Sequence, residues 1–476
     1  MGKYFLILLC WVLVPGIGIN TSLATTPNDE QSPNIIIVFT DDQGYHDLGC
    51  FGNELIKTPN IDKLADEGTR FTNFHVSQPV CSASRASLLT GCYSNRIGIH
   101  GALFPHHDHG LNPEETTIAE ILKEQGYATG MVGKWHLGHH KQFLPPQHGF
   151  DFYYGIPYSN DMWPEQNGRN DYPPLPLIRN NETEELLRGD QSNVTTRYTE
   201  EALNFIKEHR KDPFFLYVAH TMPHVPLFVS EKYDGTSKQG MYGDVIQEID
   251  WSVGEIVKML EKYKIKDNTW IIYTTDNGPW LNYGNHAGSA YPLREGKMTV
   301  WEGGVRVPCV MSWPGKIEAG RIDSANFMTI DLLPTITDLV GGKMPQHKID
   351  GRNVAPIIFE GKDPDPEYPY AFYYRQNELQ AVRSGRWKLY LPHRSRTMAG
   401  QEMGYDGKGG RDKNFQTGTE LYDLKNDLGE RFDLAEEQPE IVEKLMVIVE
   451  DYRNRLGDNL TKREGTENRP VGRLEN

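Results

Sequence analysis

Four uninterrupted apolar stretches mark the first 280 positions of the chain, and each stops abruptly at polar residues. Asn34-Ile-Ile-Ile-Val-Phe-Thr40 runs into Asp41-Asp42-Gln43-Gly44, and Ala128-Thr-Gly-Met-Val-Gly133 into Lys134-Trp-His136-Leu-Gly138. Pro213-Phe-Phe-Leu-Tyr-Val-Ala219 runs into His220-Thr-Met-Pro-His224, and Trp270-Ile-Ile-Tyr-Thr-Thr275 into Asp276-Asn277-Gly278. Runs without polar alternation are the pattern of strands buried on both faces. Between them, apolar residues recur at helical spacing over Pro59–Gly68, Thr116–Gln125, Thr199–His209 and Asp244–Tyr263. This order predicts an α/β fold with a large, mixed but mostly parallel sheet flanked by helices.

In such sheets ligands bind beyond the carboxyl ends of the strands, where all four runs place their polar residues. The chemistry there is complementary. Asp41, Asp42, Asp276 and Asn277 offer hard oxygen ligands, suited to Ca²⁺ or Mg²⁺ rather than zinc. Arg85, Lys134 and Lys297 offer positive charge for an anion's oxygens. His136 and His224 exchange protons near neutral pH. Taken singly, Asp42 reads equally as a helix cap, Lys134 as a snorkelling lysine and His224 as a core histidine. Four strands ending this way together make those readings the weaker ones.

A fifth segment stands apart. Cys81-Ser-Ala-Ser-Arg85-Ala-Ser-Leu88-Leu89-Thr90, stopped by Gly91, predicts an amphipathic helix with Cys81 at its N-terminus. The macrodipole favours an anion there, and Arg85 follows one turn along the same face.

Residues 1–24 read as a secretory signal: Lys3, an apolar stretch from Phe5 to Ile19, then Ser22-Leu23-Ala24. Export to the periplasm or medium, as in a bacterium, is expected. No later segment approaches ~20 apolar residues, so no membrane span is expected. The net charge of −16 argues against a nucleic-acid surface, so an anionic substrate needs a local basic pocket. After the signal only Cys50, Cys81, Cys92 and Cys309 remain, too few for a disulfide framework. Sequons at Asn181, Asn193 and Asn459 decide little.

These motifs together resemble the type I, formylglycine-dependent sulfatases of the alkaline-phosphatase superfamily, over residues 34–340 closely and on to about 435. Cys81-Ser-Ala-Ser-Arg85 with Leu89-Thr-Gly91 is similar to the family's maturation signature, with Ala83 where proline is commoner. Gly133-Lys-Trp-His-Leu-Gly138 resembles its second signature and Thr275-Asp-Asn-Gly278 its second metal segment. Arg294-Glu-Gly-Lys297 through Arg306 resembles the loop with a sulfate-binding lysine, and Gly155-Ile-Pro-Tyr-Ser159 a stretch whose serine approaches the sulfate. The resemblance implies an alkaline-phosphatase-like fold and a Cys81 oxidised to formylglycine by a formylglycine-generating enzyme. It further implies Ca²⁺, in preference to Mg²⁺, held by Asp41, Asp42, Asp276, Asn277 and the modified Cys81. Arg85 would hold the aldehyde's hydrate, while Lys134, Lys297 and Ser159 would grip the sulfate. His224, helped by Lys297, would protonate the leaving alcohol. His136 would take the remaining hydroxyl proton to release sulfate.

The implied organisation is a signal peptide (1–24), a catalytic domain (33–345) and a C-terminal subdomain (346–476). In the last, Ala371–Tyr374, Leu379–Arg383 and Trp387–Leu391 predict a small antiparallel sheet, and Ile441–Leu456 a helix packed on it. Asp458–Asn476 is polar and expected to fray. Substrate choice falls to loops: His106-His-Asp-His109, Trp163–Pro176 and His393-Arg-Ser-Arg396, with Trp163, Tyr172 and Trp280 as stacking candidates. Sulfated carbohydrate is the expected substrate class. A phosphodiester or phosphonate monoester hydrolase of the same superfamily, and a catalytically silent carbohydrate-binding relative, are the alternatives. A sulfotransferase is disfavoured, because no phosphate-binding loop follows a strand.

Overall fold

A computed structural model describes residues 1–3, 32–164, 166 and 171–474. The expected signal segment thus falls almost wholly outside the described residues, as do parts of the run from Trp163 to Pro176. The first apolar run is strand β1 (Asn34–Thr40), buried throughout. Along the chain follow β2 (Thr69–His75), β3 (Ala128–Gly133), β4 (Phe152–Gly155), β5 (Leu175–Arg179) and β6 (Glu182–Leu187). Then come β7 (Phe214–Ala219), β8 (Thr269–Thr275), β9 (Arg306–Ser312), β10 (Arg321–Asp323) and β11 (Phe327–Met328). They form one 11-stranded sheet in the order β10-β2-β9-β8-β1-β7-β3-β4-β5-β6, with β11 also pairing β2. The strands β8, β1, β7, β3 and β4 are parallel, and β9, β5 and β6 pair antiparallel with neighbours.

Register explains why the strand ends converge. Thr40 lies beside Thr275 and Gly133 beside Ala219, so the polar residues that follow leave the sheet at one level. Alternate residues of β1 feed two cores, Ile35, Ile37 and Phe39 on one face and Ile36 and Val38 on the other. Each face is then covered by helices: α1 (Pro59–Asp66), α2 (Cys81–Thr90), α3 (Ile118–Glu124), α4 (Val194–Glu208) and α5 (Met241–Tyr263). α3 begins with a capping box between Thr117 and Glu120.

Several expectations change. All ten residues of α2 are buried, so the helix is not amphipathic. It is a packed element in which Ser87 bonds Ser77 Oγ at 2.6 Å and Ser82 Oγ accepts from the Leu103 N–H at 2.9 Å. The strand β9 escaped notice because Pro308 interrupts it. The pairing with β2 shifts register between Val307 and Cys309, so the missing N–H falls at an irregularity. Within the aromatic and proline-rich run expected to loop, Leu175 and Pro176 already belong to β5.

The C-terminal region supplies a four-stranded antiparallel sheet: β12 (Tyr370–Tyr374), β13 (Glu378–Ser384), β14 (Trp387–Tyr390) and β15 (Glu420–Asp423). Helix α6 (Pro439–Leu456) buries Leu445, Val449, Tyr452 and Leu456. Val449 takes the buried place expected for Ile448, which is half-buried. The small sheet joins the large body through stacked Trp301 and Tyr390 rings, 4.1 Å between centroids, and through Lys388 Nζ to Glu302 at 2.8 Å. Glu302 Oε2 also lies 3.1 Å from His75 Nε2. Burial alone would raise its carboxyl, but Lys388 and His75 hold it well below the usual range.

As far as Leu474 the tail is packed rather than frayed. Gly472-Arg473 pairs with His109-Gly110, and Arg469 makes a double hydrogen bond to Glu115, both at 2.7 Å. Glu115 is buried and needs that charge, which polarity alone did not reveal. Arg469→Ala should therefore lower stability by about 2 kcal/mol, read as an earlier denaturant midpoint at unchanged slope.

Candidate active site

The cradle is assembled from loop backbone held in unusual conformations. Asp42, the second residue after β1, has φ 64°, and His136, after β3, has φ 60°. Such left-handed angles are disfavoured for side-chain-bearing residues and concentrate at functional sites. Glu295 and Met298, flanking the turn that carries Lys297, share the feature at 57° and 67°. Gly133 has φ 107°, and a Cβ on it would stand 1.8 Å from Ala219 O. Only glycine lets β3 turn out there and deliver Lys134.

Arg85, one turn into α2, is fully buried and serves three partners. Its Nε and Nη2 donate to Asp276 Oδ2 at 3.1 and 2.8 Å, its Nη1 donates to Lys134 O at 3.0 Å, and Nη2 lies 3.3 Å from Asp41 Oδ2. Lys134 Nζ bonds Asp41 Oδ2 and reaches Ser159 Oγ at 3.1 Å. Lys297 Nζ sits 2.6 and 2.7 Å from the two oxygens of Asp42, with its charge 4.7 Å from the Trp280 ring centroid. Asn277 Nδ2 donates to Asp42 Oδ1 at 2.7 Å, and the Asp42 N–H donates to Asp276 Oδ1 at 3.1 Å. His224 Nε2 is 3.6 Å from Asp42 Oδ2. Cys81 is buried, and Lys134, Lys297, Asp41 and Asp276 all act electrostatically on its thiol. The structure thus brings all eleven sequence-derived candidates into one cluster.

Two buried oxygens in this cluster, Asp41 Oδ1 and Asn277 Oδ1, have no hydrogen-bond partner. Buried acceptors are rarely left unsatisfied, and two in an all-oxygen set fit a hard divalent cation. The ligand atoms of Asp41, Asp42 and His224 lie within 4.8 Å of one another. Asp276 is more fully engaged by protein, through Arg85 and the Asp42 amide.

Electrostatics separate the roles. Burial would raise Asp41, but Lys134 and Arg85 outweigh it and hold the carboxylate well below its usual range. Asp276 moves the other way, to about 7, through burial and the Asp41 charge. Asp42 is likewise raised by burial, against the pull of Lys297. Burial pushes the Cys81 thiol up despite Lys134 and Lys297, so an unmodified Cys81 is protonated and a poor nucleophile at neutral pH.

The two histidines are neutral. Burial and Lys297 push His224 down to about 3; its Nδ1–H donates to Val225 O at 2.6 Å, leaving the Nε2 lone pair beside Asp42. Burial and Lys134 lower His136 as well. Its Nε2–H donates to Leu103 O at 2.8 Å, and its Nδ1 lone pair is buried without a partner.

Sequence reasoning passed over Gln43, whose Oε1 accepts from Thr40 Oγ1 at 2.8 Å and Tyr273 OH at 2.6 Å, bracing the turn that presents Asp41 and Asp42. A lone glutamine offers no chemical signal by which to single it out. Of the specificity loops, His107 and His109 line a cavity beside Val80. His393 instead turns inward to Leu391 O at 2.7 Å, and Arg396 pairs with Asp412 at 2.9 Å. Trp280 packs beside His224, ring centroids 5.6 Å apart.

Residues 33–342 match the family model described as Sulfatase, and residues 367–471 that described as the C-terminal region of aryl-sulfatase. N-acetylgalactosamine-6-sulfatase of Canis lupus familiaris is 35% identical over 462 residues, covering 90% of this chain and 87% of that protein. Arylsulfatase A of Homo sapiens is 36% identical over 448 residues, covering 87% of this chain and 86% of its own length. Among solved structures, Ps i-CgsB in complex with k-i-k-neocarrahexaose superposes with a TM-score of 0.75 at 29% identity, covering 89% of this chain and 93% of that one.

Proposed function

This chain belongs to the sulfatase family and hydrolyses sulfate esters, and we propose that its substrates are sulfated carbohydrates, its nucleophile an oxidised Cys81 and its metal Ca²⁺. The observation that carries the reading is the start of α2: a buried Cys81 ringed by Arg85, Lys134 and Lys297 beside two unpartnered oxygens. The carbohydrate class is supported by relatives, one named for N-acetylgalactosamine 6-sulfate and another holding neocarrahexaose.

Formylglycine at position 81 would supply, as its hydrate, a nucleophilic hydroxyl and a second hydroxyl on the same carbon for the release of sulfate. Asp41, Asp42, Asp276 and Asn277, together with residue 81, would hold the Ca²⁺, which would supply Lewis-acid chemistry to a neighbouring hydroxyl and to a sulfate oxygen. The chain's own groups do the rest. Arg85 orients residue 81 and offsets the charge that develops there. Lys134, Ser159 and Lys297 grip the sulfate oxygens; Asp41 already holds the Lys134 ammonium, which reaches Ser159 Oγ, and Asp42 holds that of Lys297. An arriving sulfate monoester places negative charge beside His224 and raises its pKa, so Nε2 gains the proton it gives to the leaving alcohol. His136 accepts a proton at its bare Nδ1 when sulfate departs.

We further propose export, with the mature chain starting after the small-residue site at 22–24; N-terminal sequencing of protein from the periplasm or medium checks it. The central test is the mass of the peptide spanning Cys81 together with sulfate release. Formylglycine and release from sulfated sugars support the reading. An intact thiol, in a host shown to mature another sulfatase, moves the weight to a silent carbohydrate-binding relative. A far higher efficiency on phosphodiesters would sink the sulfate assignment. Chelation should abolish turnover and Ca²⁺ restore it, more fully than Mg²⁺, as followed by sulfate release; indifference to metal in a stripped protein contradicts the ligand set.

A further inference from the structure

Beside the reacting centre lies a cavity of about 920 Å³, at the upper end of the ~300–1,000 Å³ that small-molecule sites span. Its wall touches the catalytic machinery at three points. Val80 precedes Cys81, Met298 follows Lys297, and Leu103 carries the carbonyl that orients His136. The opposite wall comes from the turn between β12 and β13, and that turn is strained. Arg375, Gln376 and Asn377 have φ of 49°, 58° and 74°, three left-handed non-glycine residues in succession. Such strain persists where the surrounding structure holds it for a purpose. Here it presents a half-buried Arg375 to the cavity. Among the described residues Arg375 makes no ion pair, and its guanidinium donates only to Arg394 O, at 3.3 Å. The other arginine of the wall, Arg463, is neutralised by Glu450 at 2.7 Å, and the wall's carboxylate, Glu464, is exposed.

A cavity of this size is far more than a reacting sulfate and one sugar ring need, and an arginine without a counter-ion is a binding group for planar or tetrahedral oxyanions. We propose that this cavity is a recognition cleft for an oligosaccharide carrying a second anionic group, which Arg375 holds while the first sulfate reacts. The proposal rests on the sulfatase reading and deepens it: the enzyme selects sulfates within a polyanionic chain rather than on isolated sugars.

The test separates the two. Sulfate release by the unaltered enzyme bears on the sulfatase reading. The cleft is examined without turnover, in Cys81→Ala protein, by calorimetric binding of sulfated hexasaccharides from chondroitin, heparin and carrageenan and of their desulfated forms. At least one sulfated hexasaccharide should bind ten times more tightly than its desulfated form. Adding Arg375→Asn, which keeps a residue tolerant of left-handed φ, should raise that Kd at least tenfold. Arg375→Lys should recover part of the loss. An unchanged Kd in the double variant, equal binding of the desulfated form, or no binding by any of the three overturns the proposal.

Discussion

Replacing Cys81 by alanine should reduce sulfate release by ~10⁴–10⁶-fold, the range seen when a nucleophile that acts as one unit with its partners is removed. The fold should survive. Cys81 makes no side-chain hydrogen bond that α2 depends on, and alanine is the best helix former for the position. Circular dichroism and the denaturation midpoint should therefore stay close to those of the parent, while release of sulfate disappears. Cys81→Ser is the sharper comparison, because it offers a hydroxyl but no second one. Near-normal sulfate release by either variant refutes the mechanism.

Arg85→Lys should be the most damaging conservative change. The substitution keeps the charge but offers one nitrogen where Arg85 uses three, toward Asp276, Lys134 O and Asp41. The planar fork cannot be imitated by an ammonium. Turnover should fall by about 10²–10³-fold, as expected on losing a preorganised charge donor. Stability should fall too, by ~1–3 kcal/mol, since a buried carbonyl and part of a buried carboxylate lose their donors. Arg85→Ala should cost about 3–5 kcal/mol, because Asp276, Asp41 and Lys134 O all then lose their buried donor. Thermal denaturation and kcat measured on both variants decide it; equal activity of the parent and Arg85→Lys would mean that the fork's geometry is irrelevant.

Much of this site was legible because it follows from strand ends. Neighbours such as Ile36 and Ile37 must both be apolar because each face of β1 meets a core, so the first acid after them announces itself. Aligned parallel strands then make Asp41 and Asp276 neighbours, although 235 positions separate the segments they close. Strands away from the centre of the sheet were harder to see. Thr69-Arg-Phe-Thr-Asn-Phe-His75 alternates like a loop-prone segment, since only some of its residues reach the core. The cavity wall carrying Arg375 was not legible at all. An arginine in a hairpin turn carries no signal of its own, and only the fold shows that the turn arrives at α2. The Arg469–Glu115 pair escaped for the same reason: a polar tail looks free until the buried acid it neutralises is located.

The complete burial of α2 sets an order of events. Under the proposed maturation, an oxidising enzyme must reach a thiol that the finished protein leaves 3% exposed. A chain that packs this helix first has closed the door on its own activation, and no later encounter reopens it short of unfolding. Each molecule's competence is then decided once, by a race between modification and packing during biogenesis. The specific activity of any preparation would record the outcome of that race, and slowing the folding of the nascent chain would raise it.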